Sequence, residues 1–308
     1  MMTLTEAMEK ANITNTMAGA LVGVGKSAIS RVKSRDYPNW QNLEKAIIRK
    51  MVEGGLLEAE LVPEIDVEPG ILRVDPYVFI STQNVNELET LADDLLDNDT
   101  TLNASIGLVT GRAGYGKTTA IQHYAATTDP AVYILYIEGY TMTMLTKAIA
   151  QRLTGNCART YEGNLSIIRD ATMTFRKLII IDEADRLPVR YLEMLRGFNE
   201  ECKVPILLVG EESLVSKLAS QPRLHSRIRK PEIVFKPLTI VDVATYYQQA
   251  VGLDISGQAE ACKTLLRWAG RDFRVLVNDA QHIVQIMNSS GISELTQEVL
   301  DAYKPFRT

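Results

Sequence analysis

The clearest chemistry in the chain comes from one spaced set of residues. In the string GLVTGRAGYGKTTA, Gly111, Gly116, Lys117 and Thr118 fit G-x-x-x-x-G-K-[ST]. Glycines at these positions, with Gly114 between them, let a loop curl until its N–H groups point at phosphate oxygens. A helix that begins at the end of the loop adds unpaired N–H groups and a positive dipole end. Lys117 is then the residue to reach the β- and γ-phosphates. Thr118 offers a hydroxyl to magnesium, and Thr119 completes the phosphate-binding set. The expected cofactors are ATP and Mg2+.

A second chemical group stands at the end of LIIIDEAD. Asp182 and Glu183 follow a run of apolar residues, at the strand end where open parallel sheets bind ligands. Asp182 is the candidate for the magnesium shell, and Glu183 for the general base that activates water. Asp185 reads equally well as function or as a solvated acidic turn. Glu211, Glu212 and Ser213 in LLVGEESL follow the next apolar run. Arg223, Arg227 and Arg229 in RLHSRIRK, and Arg271 and Arg274 in WAGRDFRVL, are candidates to stabilise charge on a transferring phosphoryl group.

A lookalike, GVGKS, occurs at Gly23–Ser27. It fails the same test, because the first glycine would fall at Ala20 and the preceding NTMAGAL is helical in character. One nucleotide site is therefore expected. The stretch around the lookalike reads instead as helix, turn, helix. Lys26, Ser27, Ser30, Arg31, Lys33 and Arg35 form a basic, hydroxylated surface, while Ala28, Ile29 and Val32 face inward. This is a helix-turn-helix pattern whose second helix would face DNA, with a small protein-binding bundle as the bland alternative.

These groups need elements to position them. Residues 81–238 alternate apolar runs with helical patterns: SIGLVT, AVYILYI, KLIIIDEAD, VPILLVG and EIVF read as strands of a parallel sheet covered on both faces. Residues 1–62 read as a small helical domain, with Asn39 after Pro38 capping its longest helix and Gly54–Gly55 ending it. Residues 63–80 carry widely spaced prolines and read as a linker or wrapping arm, and residues 239–308 read as helices only. Tyr133 and Tyr136 fall in a strand pattern and are expected to pack, as are Trp40 and Trp268.

Composition sets the limits. The chain has 308 residues, 46% of them hydrophobic, and a net charge of -5. That charge is uneven: Lys26–Arg35 holds four basic residues and no acid, whereas 63–100 holds ten acids against Arg73 alone. Nucleic-acid binding would have to use local patches. No run of eighteen apolar residues and no basic-then-apolar start is present, so neither a membrane nor an export route is indicated. Cys157, Cys202 and Cys262 are scattered, which suggests buried small hydrophobes in a reducing compartment rather than disulfides or zinc. His123, His225 and His282 have no ligand spacing.

With these residues in view, the chain resembles the AAA+ ATPases. Within them it looks like the target-selecting transposition ATPases of Mu-type phages, over GRAGYGKTTA, LIIIDEADRL, LLVGEESL, RLHSRIRK and the helical ends. The resemblance implies a P-loop α/β core with a helical C-terminal lid and a small N-terminal helix-turn-helix domain. It gives Arg227 the place of an arginine finger and Arg274 that of sensor 2. The family often has a neutral polar residue where this chain has Glu211, which departs from the pattern and points to slow hydrolysis. Such proteins assemble as ATP-dependent filaments on duplex DNA and activate a transposase, with hydrolysis driving release. The implied partners are double-stranded DNA, a transposase and further copies of the chain, in the cytoplasm (the host's, if phage-encoded). A helicase loader or replication initiator would carry the same ATP motifs. A nucleotide-gated protein-recruiting switch and a sequence-specific regulator are the other classes.

Overall fold

The computed structural model describes residues 3–22, 24–35, 40–54, 56–57, 72–97, 106–174 and 176–303. The chain divides into two compact units, one made of Ser81–Lys236 and the other of Met1–Ile80 together with Pro237–Thr308. In chain order the helices are α1 (Leu4–Ala11), α2 (Asn15–Leu21), α3 (Lys26–Lys33), α4 (Trp40–Glu53), α5 (Gln83–Asp97), α6 (Lys117–Thr127), α7 (Met142–Thr154), α8 (Tyr161–Thr174), α9 (Val189–Cys202), α10 (Ser213–Ala219), α11 (Pro222–His225), α12 (Ile240–Tyr246), α13 (Ala259–Trp268), α14 (Phe273–Ser290) and α15 (Gln297–Ala302). The strands are β1 (Ile106–Thr110), β2 (Ala131–Leu135), β3 (Leu178–Asp182), β4 (Ile206–Gly210) and β5 (Ile233–Val234).

The unit Ser81–Lys236 is built on one parallel sheet with strand order β2-β3-β4-β1-β5. Strands β1, β3 and β4 are buried at every residue, which is why they read as unbroken apolar runs rather than alternating ones. Register sets the working edge. Thr110 pairs with Gly210 and Val234, and Leu135 pairs with Asp182, so these strands end together. Helix α5 buries Val85, Leu88, Leu91, Ala92 and Leu95, a spacing of three and four that makes one apolar stripe. Gly107 on β1 has no room for a side chain, because a Cβ there would lie 2.6 Å from Leu95 Cδ1 and 2.7 Å from Leu207 Cδ1. Phe198, Leu192 and Leu195 of α9 join Ile106, Ile179, Ile181 and Leu208 in the main core.

In the other unit, the N-terminal helices surround Leu4, Met8, Ile29, Val32, Leu43, Ile47 and Met51. Helix α1 starts on a capping box in which Thr3 accepts from the Glu6 N–H and Glu6 accepts from the Thr3 N–H, and it ends on left-handed Asn12. Helices α2 and α3 meet across a close turn. The Val24 N–H donates to the Gly19 carbonyl at 2.9 Å, and a Cβ on Gly19 would run into the Val24 carbonyl oxygen. Ile29 and Val32 are buried as their apolar spacing requires, while Gly23 and the Pro38–Asn39 cap lie outside the described residues.

The C-terminal helices form a separate cluster around Tyr247, Leu276, Ile283 and Met287. Within it, Tyr247–Val251 continues α12 as a π-helical turn and ends on Gly252 at φ 80°. Residues 72–80 pack here too: Leu72 exchanges two 2.8 Å hydrogen bonds with the Asn288 side chain, and the Asp75 N–H donates to the Ala250 carbonyl at 2.7 Å.

Two elements were not visible in the sequence pattern. Helix α8 pairs with α7 to form a helical hairpin between β2 and β3, and α5 precedes β1. Cys157 corrects the expectation of three buried cysteines: it is exposed, on the turn between α7 and α8, whereas Cys202 and Cys262 are buried.

The Gly19→Ala change is expected to destabilise the N-terminal helices by about 1–3 kcal/mol, the usual cost of forced overpacking. Hydrogen exchange over residues 15–33 should accelerate while β1, β3 and β4 keep their protection. Unchanged exchange would show that the turn is not as close as described.

Candidate functional site

The site is assembled at the C-terminal edge of the sheet. β1 runs into a loop whose glycines take backbone angles that side chains oppose: φ is 149° at Gly111, 84° at Gly114 and 89° at Gly116. Gly111 is further constrained by Phe235, the residue after β5, because a Cβ there would lie 2.9 Å from Phe235 Cβ and 3.0 Å from the Phe235 carbonyl oxygen. Phe235 is fixed by its own N–H, which donates to the Thr110 carbonyl at 2.8 Å. Helix α6 then starts at Lys117 with Gly116 as its cap and no side-chain cap bond, so no side chain competes for its first N–H groups.

Lys117 is 9% exposed. Its Nζ donates to the carbonyls of Gly111 (2.6 Å) and Arg112 (3.0 Å), which wraps the loop around its own lysine. Burial pushes the Lys117 ammonium below the usual lysine range, and the negative charges of Glu211, Asp182, Glu183 and Asp185 act in the opposite direction.

Asp182 ends β3 and is 2% exposed. A buried carboxylate must be paired or hydrogen-bonded, and this one is satisfied on both oxygens. Oδ2 accepts from Thr118 Oγ1 at 2.9 Å and from the Tyr133 hydroxyl at 3.1 Å, and Oδ1 accepts from the Glu183 N–H at 2.9 Å. Glu183 sits in the left-handed region at φ 58°. Backbone of this kind costs about 1–3 kcal/mol and clusters at functional sites. Its carboxylate pairs with Arg186 Nε at 2.9 Å.

Asp185 serves the next strand. Its Oδ1 accepts from the Glu211 N–H at 3.0 Å, and its carbonyl accepts from Lys217 Nζ, which also donates to the Leu187 carbonyl at 2.9 Å. A Cβ on Gly210 would lie 2.5 Å from Asp185 Oδ1 and 2.9 Å from its N, so β4 must end in glycine for this turn to approach. The acidic turn after β3 and the end of β4 are thereby fixed to each other, which sets the backbone of Glu211.

Arg227 lies elsewhere. Its carbonyl accepts from the Ile106 N–H at 3.2 Å, at the start of β1. Four strand steps of about 3.3 Å, roughly 13 Å, separate that position from Thr110. Arg227 pairs with Glu200 at 2.6 Å, and Arg196 meets the same oxygen at 2.7 Å. Arg271 and Arg274 belong to the other unit. Both are exposed, and Arg271 takes φ 64°. Of the basic N-terminal set, Lys26, Ser30, Arg31, Lys33 and Arg35 are exposed along α3 and its end, and the Ser27 side chain is outside the described residues. Ser30 Oγ accepts from Asn15 at 3.0 Å, and the Arg35 guanidinium lies 4.9 Å from the Trp40 ring centre.

Thus Gly111, Gly114, Gly116, Lys117, Thr118, Asp182 and Glu183 come together, with Thr119 exposed on the first turn of α6. Sequence reasoning placed Tyr133 among packing residues. The structure corrects this, because its hydroxyl reaches Asp182. The signal was slight: a hydroxyl-bearing side chain two residues from the end of a strand that pairs with β3.

The donor set suits magnesium. It offers a hydroxyl and a carboxylate, both hard oxygens, beside a glycine cradle that a Cβ would fill.

This geometry is that of an AAA+-like P-loop fold, a parallel sheet with helical regions around it. Residues 100–218 match the family model described as AAA domain. The chain has weak but consistent homology to AAA+ ATPases, some of them transposition B proteins of Mu-like phages. It is 30% identical over 131 residues to a potential ATP-binding protein of Staphylococcus aureus, covering 40% of this chain and 48% of that one. It is also 30% identical over 171 residues to the ATP-dependent target DNA activator B of Escherichia phage Mu, covering 53% of each. The chain therefore spans about half the length of these relatives. In shape it resembles the Aeropyrum pernix ORC2 protein, with a TM-score of 0.54 at 15% identity, over 74% of this chain and 68% of that one. No helix among the described residues is long and apolar enough to cross a membrane.

Two substitutions test the coupling of Asp185 to Gly210. Asp185→Ala removes one acceptor at an exposed N–H and is expected to cost about 0.5–1.5 kcal/mol. Gly210→Ala drives a methyl into Asp185 and should cost more, about 1–3 kcal/mol. Urea unfolding of both proteins checks the order.

Proposed function

We propose that the chain is an ATP-hydrolysing AAA+ protein that works on DNA, with nucleotide state controlling its assembly. The observation that carries the chemistry is the closed set Lys117, Thr118, Asp182 and Glu183 at one sheet edge. The loop N–H groups and the start of α6 bind the phosphates. Lys117 exchanges its two carbonyl partners for phosphate oxygens. Thr118 and Asp182 would hold magnesium, which when bound neutralises phosphate charge. Glu183, released from Arg186, would take a proton from water as its oxygen bonds to the γ-phosphorus and the bond to the β–γ bridging oxygen breaks, leaving ADP and phosphate. Arg227, far from its own chain's loop, would act on the nucleotide of a neighbouring copy, and Arg274 keeps the sensor 2 role that the resemblance implies.

DNA action is supported by the relatives from phages Mu and D108, which are ATP-dependent target DNA activators B, and by the exposed basic residues Lys26, Ser30, Arg31, Lys33 and Arg35 along α3 and its end, with Ser27 kept in the set from the sequence alone. The wide class of DNA-processing ATPases, which takes in helicase loaders and replication initiators, is better supported than one partner. A second, narrower reading is a target-marking filament on duplex DNA that recruits or activates a transposase. It draws on the phage relatives, which match over only about half their length.

Binding to two unrelated DNA duplexes, at fixed salt with ATP, ADP or no nucleotide, tests the reading. Large ATP-dependent complexes on both duplexes are expected, and Lys117→Ala should abolish them. Absence of DNA binding under every nucleotide would leave a protein-recruiting switch. Stimulation of turnover by a transposase or by a helicase separates the two partners.

Glu183→Gln should bind ATP as before and hydrolyse it about 10²–10⁴-fold more slowly, the span expected for loss of a general base. Normal turnover would remove Glu183 from that role.

A further inference from the structure

Asp182 receives one hydrogen bond that neither the phosphate loop nor its own turn accounts for. It comes from Tyr133, in the middle of β2. β2 and β3 are paired in register from Ala131↔Leu178 to Leu135↔Asp182, which fixes the height of the tyrosine against the carboxylate. The hydroxyl reaches Asp182 Oδ2 at 3.1 Å, the same oxygen that accepts from Thr118 at 2.9 Å. Helix α6 meets Asp182 through Thr118.

We propose that Tyr133 is a positioning residue for magnesium: it holds the Asp182 carboxylate in the orientation that lets Asp182 and Thr118 receive the ion together. This rests on the reading of the site as one for magnesium nucleotide. Two points favour it over simple packing. First, Asp182 is buried, and a buried carboxylate that is free to rotate would have to be ordered when the ion arrives. Second, the carboxylate is held from both sides, by Tyr133 and Thr118 on Oδ2 and by the Glu183 N–H on Oδ1, which fixes its plane. Partners that orient metal ligands commonly account for about 10–100-fold in metal affinity.

The test is Tyr133→Phe, which removes one oxygen and keeps the ring. A fluorescent ADP analogue is titrated into the full chain, first with EDTA and then with rising Mg2+. Nucleotide affinity in EDTA should match the unaltered chain, and the Mg2+ midpoint should rise about tenfold. Thermal unfolding without nucleotide or metal is measured alongside. A packing role alone would lower the melting temperature and leave the Mg2+ midpoint where it was, and that result overturns the proposal. Failure of the unaltered chain to bind the analogue at all would instead reject the nucleotide site itself.

Discussion

A hydrogen bond from Thr118 to Asp182 joins the two halves of the site. Thr118 belongs to the first turn of the helix after the glycine loop, and Asp182 ends a strand two places away in the sheet, with β4 between β1 and β3. Parallel pairing makes that contact possible, because it brings every strand to the same edge. Burial makes it obligatory, because a carboxylate 2% exposed cannot rely on water. Other features follow from it. Gly111 must lack a side chain so that the loop can pass Phe235, and Gly210 must lack one so that the acidic turn can close on β4.

Much of this is legible in the sequence, and for a physical reason. Strands covered on both faces must be apolar along their whole length, so LIIID and ILLVG declare themselves. A loop that wraps phosphate must use glycine where φ is positive, and Gly111, Gly114 and Gly116 meet that need. Less regular features were not legible. Helix α8, in YEGNLSIIRDATMT, mixes glycine, threonine and serine with its apolar residues and gives no clean stripe. The Tyr133 hydroxyl could not be placed, because a strand pattern tells which face a residue takes and not which polar atom lies across from it. Arg227 was recognisable as a charge before β5. Only its pairing with Ile106 at the start of β1 shows that it stands at the far edge of its own sheet.

The lookalike at Gly23–Ser27 shows how context decides a motif. Lys26 and Thr118 both open helices or follow directly on one that has opened, yet their surroundings differ. Helix α6 follows a buried strand and faces a buried carboxylate. Helix α3 follows another helix across a turn made close by Gly19, and its polar residues face outward beside Arg35 and Trp40. The first arrangement concentrates donors on one point and suits a polyphosphate. The second spreads basic groups along an exposed face, which suits an extended polyanion.

One magnesium nucleotide is expected to bind per chain, in the loop at Gly111–Thr118. Amide hydrogen exchange with and without Mg·ADP, read together with the binding stoichiometry, measures this. The expected result is one nucleotide per chain, with new protection confined to the loop from Gly111, the first turn of α6 and the end of β3. A stoichiometry of two, or protection centred on residues 24–30, would contradict it.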